Sequence, residues 1–124
     1  MKTTYLVSGN RKIIASEWGD KKNPMVIMLH GGGQTRHSWK GSASKIADLG
    51  FHVITYDLRG HGESFWDEDG NYTFNAHKDD LIKIIKQNDK KANLIGASLG
   101  GMVSLSLAGH EKERDYCSSL TMVD

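Results

Sequence analysis

An α/β fold is the class this sequence predicts: a mostly parallel sheet with helices on both faces, about six strands and three helices. Three observations carry that expectation. Met25-Val26-Ile27-Met28-Leu29 is an unbroken apolar run of the kind that lies buried on both faces of a parallel sheet. Strand-like patterns then alternate with amphipathic stretches of helical length, which right-handed crossovers turn into parallel neighbours. Glycine-rich loops follow three of the strand patterns, at the carboxyl ends where ligand sites form in such sheets.

Each element has its own signal. Thr4 to Ser8 and Lys12 to Trp18 read as strands joined by Gly9-Asn10, a pair suited to a reversed turn. After the strand Met25 to Leu29, a helix is expected over about Ser38 to Leu49, because Trp39, Ala43, Ile46 and Ala47 fall on one face. His52 to Tyr56 is a strand, followed by a long loop, Asp57 to Thr73, rich in Gly, Asp and Glu. Leu81, Ile84 and Ile85 define the apolar face of a helix over Asn75 to Lys86, with its start at Phe74-Asn75. A short strand, Asn93 to Ile95, leads into a helix from Leu99 to about Gly109, and Ser119 to Val123 is the last strand. No repeat, linker or low-complexity segment interrupts the series.

With 16 basic and 15 acidic side chains among 124 residues, the charge balance points away from nucleic acid and from a membrane surface and towards a small-molecule partner. No apolar run approaches the roughly 18 residues of a transmembrane helix, and Met1 to Tyr5 leads into a strand pattern instead of a signal-peptide core. A cytoplasmic location is expected. Cys117, the single cysteine, excludes an internal disulfide and reads as a buried or edge-strand thiol. Neither a metal nor a cofactor is expected.

Gly96-Ala97-Ser98-Leu99-Gly100 stands between the strand Asn93 to Ile95 and the following helix. It reads as a serine nucleophile on a tight strand-to-helix turn, where crowding on both sides of the serine demands glycine and the helix N-terminus favours developing negative charge. Upstream, His30-Gly31-Gly32-Gly33 follows the strand Met25 to Leu29, and its glycines free the backbone to aim N–H groups at an oxyanion. Leu99 N–H supplies a second donor of that kind. A third loop, Asp57-Leu58-Arg59-Gly60-His61-Gly62-Glu63-Ser64, packs glycines, charges and a hydroxyl after the strand His52 to Tyr56. The glycine loop read as a phosphate cradle is set aside, since no Gly-Lys-Ser/Thr follows it.

In these three loops, in this order, the sequence resembles the α/β-hydrolase fold family, specifically its serine-nucleophile branch of esterases, lipases and related hydrolases. The resemblance runs from about Tyr5 to Asp124. It implies an opening antiparallel hairpin, Ser98 as nucleophile, oxyanion contacts from Gly32 and Leu99 within a site that includes His30, Gly31 and Gly33, and an ester or related acyl compound as substrate. Such domains commonly exceed roughly 200 residues, so 124 residues are expected to be a single, incomplete domain, the N-terminal half. A natural non-catalytic truncation and one chain of a two-chain enzyme are the alternatives.

A serine hydroxyl needs a histidine base and an acid, which follow it in this family's chain order. After Ser98 the only histidine is His110, twelve residues along and roughly 18 Å away at helical rise, too far to serve. Asp124 ends the chain and is given a structural or terminal role. The acid and the histidine are therefore expected outside this sequence. His30 reads as a support of the glycine loop and His61 as an organiser of its own loop, with His37, His52 and His77 as surface or strand positions. Trp39 and Trp66 read as packing residues rather than the border of a cleft. Beyond the last strand the sheet edge is expected to lie open, making Ser119 to Val123 a surface for self-association.

Overall fold

Met25–Leu29 forms β3, and every one of its five residues is buried because the strand has neighbours on both sides and helices above and below. Residues 1–123 are described by a computed structural model; Asp124, and with it the expectation placed on that residue, lies outside them. The sheet has six strands in the order β1-β2-β4-β3-β5-β6, with β1 at Lys2–Val7, β2 at Arg11–Trp18, β4 at His52–Tyr56, β5 at Ala92–Ala97 and β6 at Cys117–Val123. β1 and β2 are antiparallel, as are β2 and β4; β4, β3, β5 and β6 run parallel.

The helices are α1 (Lys40–Asp48), α2 (Phe74–Asn88) and α3 (Leu99–Ala108). Alternation along the strands divides the apolar residues between the two faces. Met25, Ile27 and Leu29 join Leu81, Ile84 and Ile85 of α2 and Val103 and Leu107 of α3 in the larger core cluster. Val26 and Met28 point the other way, to Ala43 of α1 with Trp39, Ile46 and Ala47 beside it. The chain thus leaves β3 over one face, returns from β4 over the other, and comes back to the far side of β3 as β5. Loops after β3 and β5 diverge at that reversal, which opens a crevice at their carboxyl ends.

Several boundaries differ from those the sequence suggests, each for a local reason. The β1–β2 connection is a helical turn of three residues, Ser8–Asn10, with Gly9 and Asn10 both left-handed at φ 65° and 64°, so Ser8 belongs to the turn and Val7 pairs with Arg11. The stretch expected to begin a helix at Ser38 is instead a short turn, Arg36–Trp39, capped when Thr35 Oγ1 accepts from His37 N–H at 3.4 Å, with α1 proper starting at Lys40. In α2 the cap is Thr73, whose hydroxyl accepts from Ala76 N–H, and the helix runs on to a left-handed Asp89. His77, expected at the surface or in a strand, is buried on α2. Its spacing of four from Leu81 places it on the face turned inwards.

Candidate active site

The turn between β5 and α3 holds Ser98 at φ 51° and ψ −113°, a conformation a non-glycine residue adopts only when its surroundings enforce it. They do so by close approach. A Cβ on Gly96 would lie 2.5 Å from Gly100 O, and one on Gly100 would overlap the carbonyl of Leu29 and come within 2.7 Å of His30 O. Gly100 N–H also donates to His30 O at 3.1 Å, so the first turn of α3 is seated directly on the end of β3. Ser98 itself stays exposed.

The same seating brings the glycine loop alongside. A Cβ built on Gly31 would stand 3.5 Å from Ser98 Cβ, and one on Gly32 would stand 4.0 Å from Leu99 Cβ. The three loop N–H groups then have different fates. Gly31 N–H donates to Gln34 Oε1 at 3.0 Å and Gly33 N–H to His61 Nε2 at 3.0 Å, whereas Gly32 N–H makes no hydrogen bond among the described residues. Leu99 N–H, at the first position of α3, is one of the donors that a helix leaves unused. Ser98, Gly32 and Leu99 are therefore gathered at one point, with Gly31 and Gly33 spent on holding the loop.

His30 and His61 do the holding. His30 Nδ1 sits 2.7 Å from Gly31 O while Leu58 N–H donates to its Nε2 at 3.0 Å, a pattern only the neutral Nδ1–H tautomer satisfies. Burial lowers its pKa in the same sense. His61 bridges likewise, with Nδ1 3.1 Å from Arg59 O and Nε2 accepting from Gly33. Both rings are fully engaged, and neither has a nitrogen left for the serine. His110 is separated from Ser98 by the whole of α3 and pairs with Glu113.

Asp57 is the hub beneath the loops. Its carboxylate accepts from Arg36 N–H (2.7 Å), Arg36 Nη1 (2.6 Å) and Glu63 N–H (3.0 Å) and is wholly buried, while Ser64 Oγ donates to its carbonyl at 2.6 Å. A Cβ on Gly62 would run into that carboxylate. Arg59 is turned inwards to Asp80, with two 2.7 Å bonds. The Asp57 to Ser64 loop was legible as a motif, but Arg36, its main partner, carried no pattern of its own.

Two recesses adjoin Leu99. One, about 590 Å³, is lined by Ser98, Phe74, Met102, Met122 and Val123. The other, about 260 Å³, lies beneath Trp66, Tyr72 and His77. Trp39 packs in the smaller core as expected, but Trp66 does not: it stands 67% exposed at the rim of that second recess. A tryptophan in a loop offers no periodicity by which the two outcomes could be told apart. Among the described residues no group of three or more His, Cys, Asp or Glu could hold a metal ion, and no helix is long and apolar enough to cross a membrane.

Comparison with known proteins gives consistent results. The sequence pattern of the alpha/beta hydrolase fold matches residues 24–124. An esterase of Mycobacterium tuberculosis is 38% identical over 113 residues, covering 90% of this chain and 36% of the relative. A 3-hydroxybutyrate-oligomer hydrolase of Cupriavidus necator is 32% identical over 108 residues, 85% of this chain and 36% of the relative. An esterase structure from Exiguobacterium antarcticum superimposes with a TM-score of 0.88 at 23% identity, over 99% of this chain and 45% of that one. This chain spans about a third of the length of the two sequence relatives.

Proposed function

This chain belongs to the alpha/beta hydrolase fold family, and on that premise we propose that it carries the nucleophile and the oxyanion donors of a serine hydrolase acting on carboxylic esters or related acyl compounds. Ser98 Oγ attacks the acyl carbon, the oxyanion forms against Gly32 N–H and Leu99 N–H, and the leaving group departs as an acyl-enzyme forms. The observation that carries the reading is the strained, exposed Ser98 held beside the one loop N–H left without a partner. Esterases among the similar proteins support it. The two histidines on the site's loops, His30 and His61, have no nitrogen free, and His110 lies a whole helix away, so on this reading the base and its orienting acid are supplied from outside these 124 residues.

Two measurements test this. The chain alone is expected to hydrolyse 4-nitrophenyl acetate weakly or not at all, the donors leaving only residual activity. Extended by an acid and a histidine after Ser98, it is expected to form a covalent adduct with an alkyl fluorophosphonate on the Ser98 peptide, absent in Ser98→Ala. An adduct on another residue would overturn the assignment. Efficient turnover by the unextended chain, lost in Ser98→Ala, would overturn the external base and point to an unexpected base within these residues, such as His30 released from its present bonds.

A further inference from the structure

Three glycines in succession leave the backbone freer than any other residues would, so the aim of Gly32 N–H has to be imposed by groups around it. It is imposed through the two peptide planes that meet at the Gly32 Cα. The plane before it carries Gly31 O and Gly32 N–H, which point in opposite directions because the peptide is planar and trans. Gly31 O is gripped twice: His30 Nδ1 lies 2.7 Å from it, and Gln34 N–H donates to it at 3.1 Å. The second bond closes a turn over Gly31 to Gln34 in which Gly33, at φ 79°, has the left-handed third position of a type II turn. The plane after Gly32 carries Gly33 N–H, and among the described residues it is held by one bond alone, from that N–H to His61 Nε2 at 3.0 Å.

That bond decides between two turns. In the type I alternative the third residue has φ of about −90°, and the change amounts to a half-turn of the Gly32–Gly33 peptide, which glycine at both central positions permits. Gly33 has no packing contact to resist it, since a Cβ there would meet nothing within 4 Å. The half-buried His61 is itself well anchored. Its ring lies against that of His30 with centroids 4.8 Å apart, its Nδ1 is 3.1 Å from Arg59 O, and its backbone N–H donates to Leu58 O at 3.0 Å. His30 reaches in the opposite direction, its Nε2 accepting from Leu58 N–H. Two crossed N–H···N bonds therefore tie the glycine loop to the Asp57 to Ser64 loop, and the one that holds the tip belongs to His61.

We propose that His61 is a positioning residue for the oxyanion site, its Nε2 holding the glycine loop in the turn that keeps Gly32 N–H aimed beside Leu99 N–H. This rests on the hydrolase reading above. Negative charge on the acyl oxygen develops on the way to the transition state, so a donor aimed only part of the time lowers kcat and leaves KM close to its value.

The test uses the complete enzyme, base and acid included. His61→Leu removes the acceptor, whereas His61→Gln puts an amide oxygen within reach of Gly33 N–H. With 4-nitrophenyl acetate, His61→Leu is expected to lower kcat roughly tenfold, short of the hundredfold or more that deleting an oxyanion donor costs, with KM changed by less than about twofold. His61→Gln is expected to restore most of that loss. Equal losses in the two variants, a change confined to KM, or no loss in His61→Leu would each overturn the proposal. One readout needs no variant: in isotopically labelled protein, a nitrogen–nitrogen spin coupling is expected across the hydrogen bond between Gly33 and His61. Its absence from a protein whose Ser98 reacts with the fluorophosphonate would overturn the positioning role. The coupling present in a protein whose Ser98 does not react would bring down the hydrolase reading and leave the tie between the loops standing.

Discussion

The backbone around Ser98 is held by contacts so close that single hydrogens decide them. Gly100 has no room for a methyl group because the Leu29 carbonyl occupies its place, whereas Gly33, left-handed at φ 79°, has nothing within 4 Å. Alanine at the two positions therefore fails for different reasons. Gly100→Ala must push α3 off the end of β3, and we expect a loss of about 3 kcal/mol or more, at the upper end of overpacking effects. Gly33→Ala meets only backbone strain, about 1–2 kcal/mol. Urea melts of the two variants check the contrast, and equal losses would show that α3 is not seated as described. This is also why the serine turn was readable in the sequence: steric demands so severe leave a fixed glycine pattern. The roles of His30 and His61 as loop supports were readable by position. The recess under Trp66, Tyr72 and His77 was not, because its members come from a loop and a helix whose approach no local spacing encodes.

Elements meet here through buried charge more than through the loops' own conformations. Arg36, in the turn before α1, and Asp57, at the end of β4, form a pair with side chains 5% and 0% exposed, joined to Glu63 and Ser16. Asp57→Asn leaves a buried guanidinium short of its main counter-ion, and the expected destabilisation is about 3 kcal/mol. The double variant Asp57→Asn with Arg36→Met removes both charges and is expected to lose clearly less than the sum of the two single losses, which a thermodynamic cycle measures directly. Additive losses would mean the two do not interact. At this scale the sequence showed β3, β4 and the apolar face of α2 almost to the residue, since burial on both faces or on one stripe imposes a period. It did not show that Thr35 and Thr73 open their helical turns, because a capping hydroxyl looks like any other threonine until the following N–H groups are placed.

Across the whole molecule the polar clusters are arranged at opposite ends of the sheet, and the end remote from Ser98 sets much of the response to acid. There Glu17 accepts from Tyr5 OH at 2.8 Å and lies 2.7 Å from His52 Nε2; burial alone would raise its pKa, but the bonds from His52 and Tyr5 outweigh it and bring the carboxyl from 4.5 down to about 2. A depressed carboxyl contributes stability that is complete above its unfolded value and lost as pH falls towards its folded one. His77, depressed from 6.5 to about 4, has the same sign. Stability is expected to fall first between pH 6.5 and 4 and again between 4.5 and 2; in urea melts across pH, His77→Phe should lessen the first loss, which His30, also lowered by burial, shares, and Glu17→Gln should lessen the second.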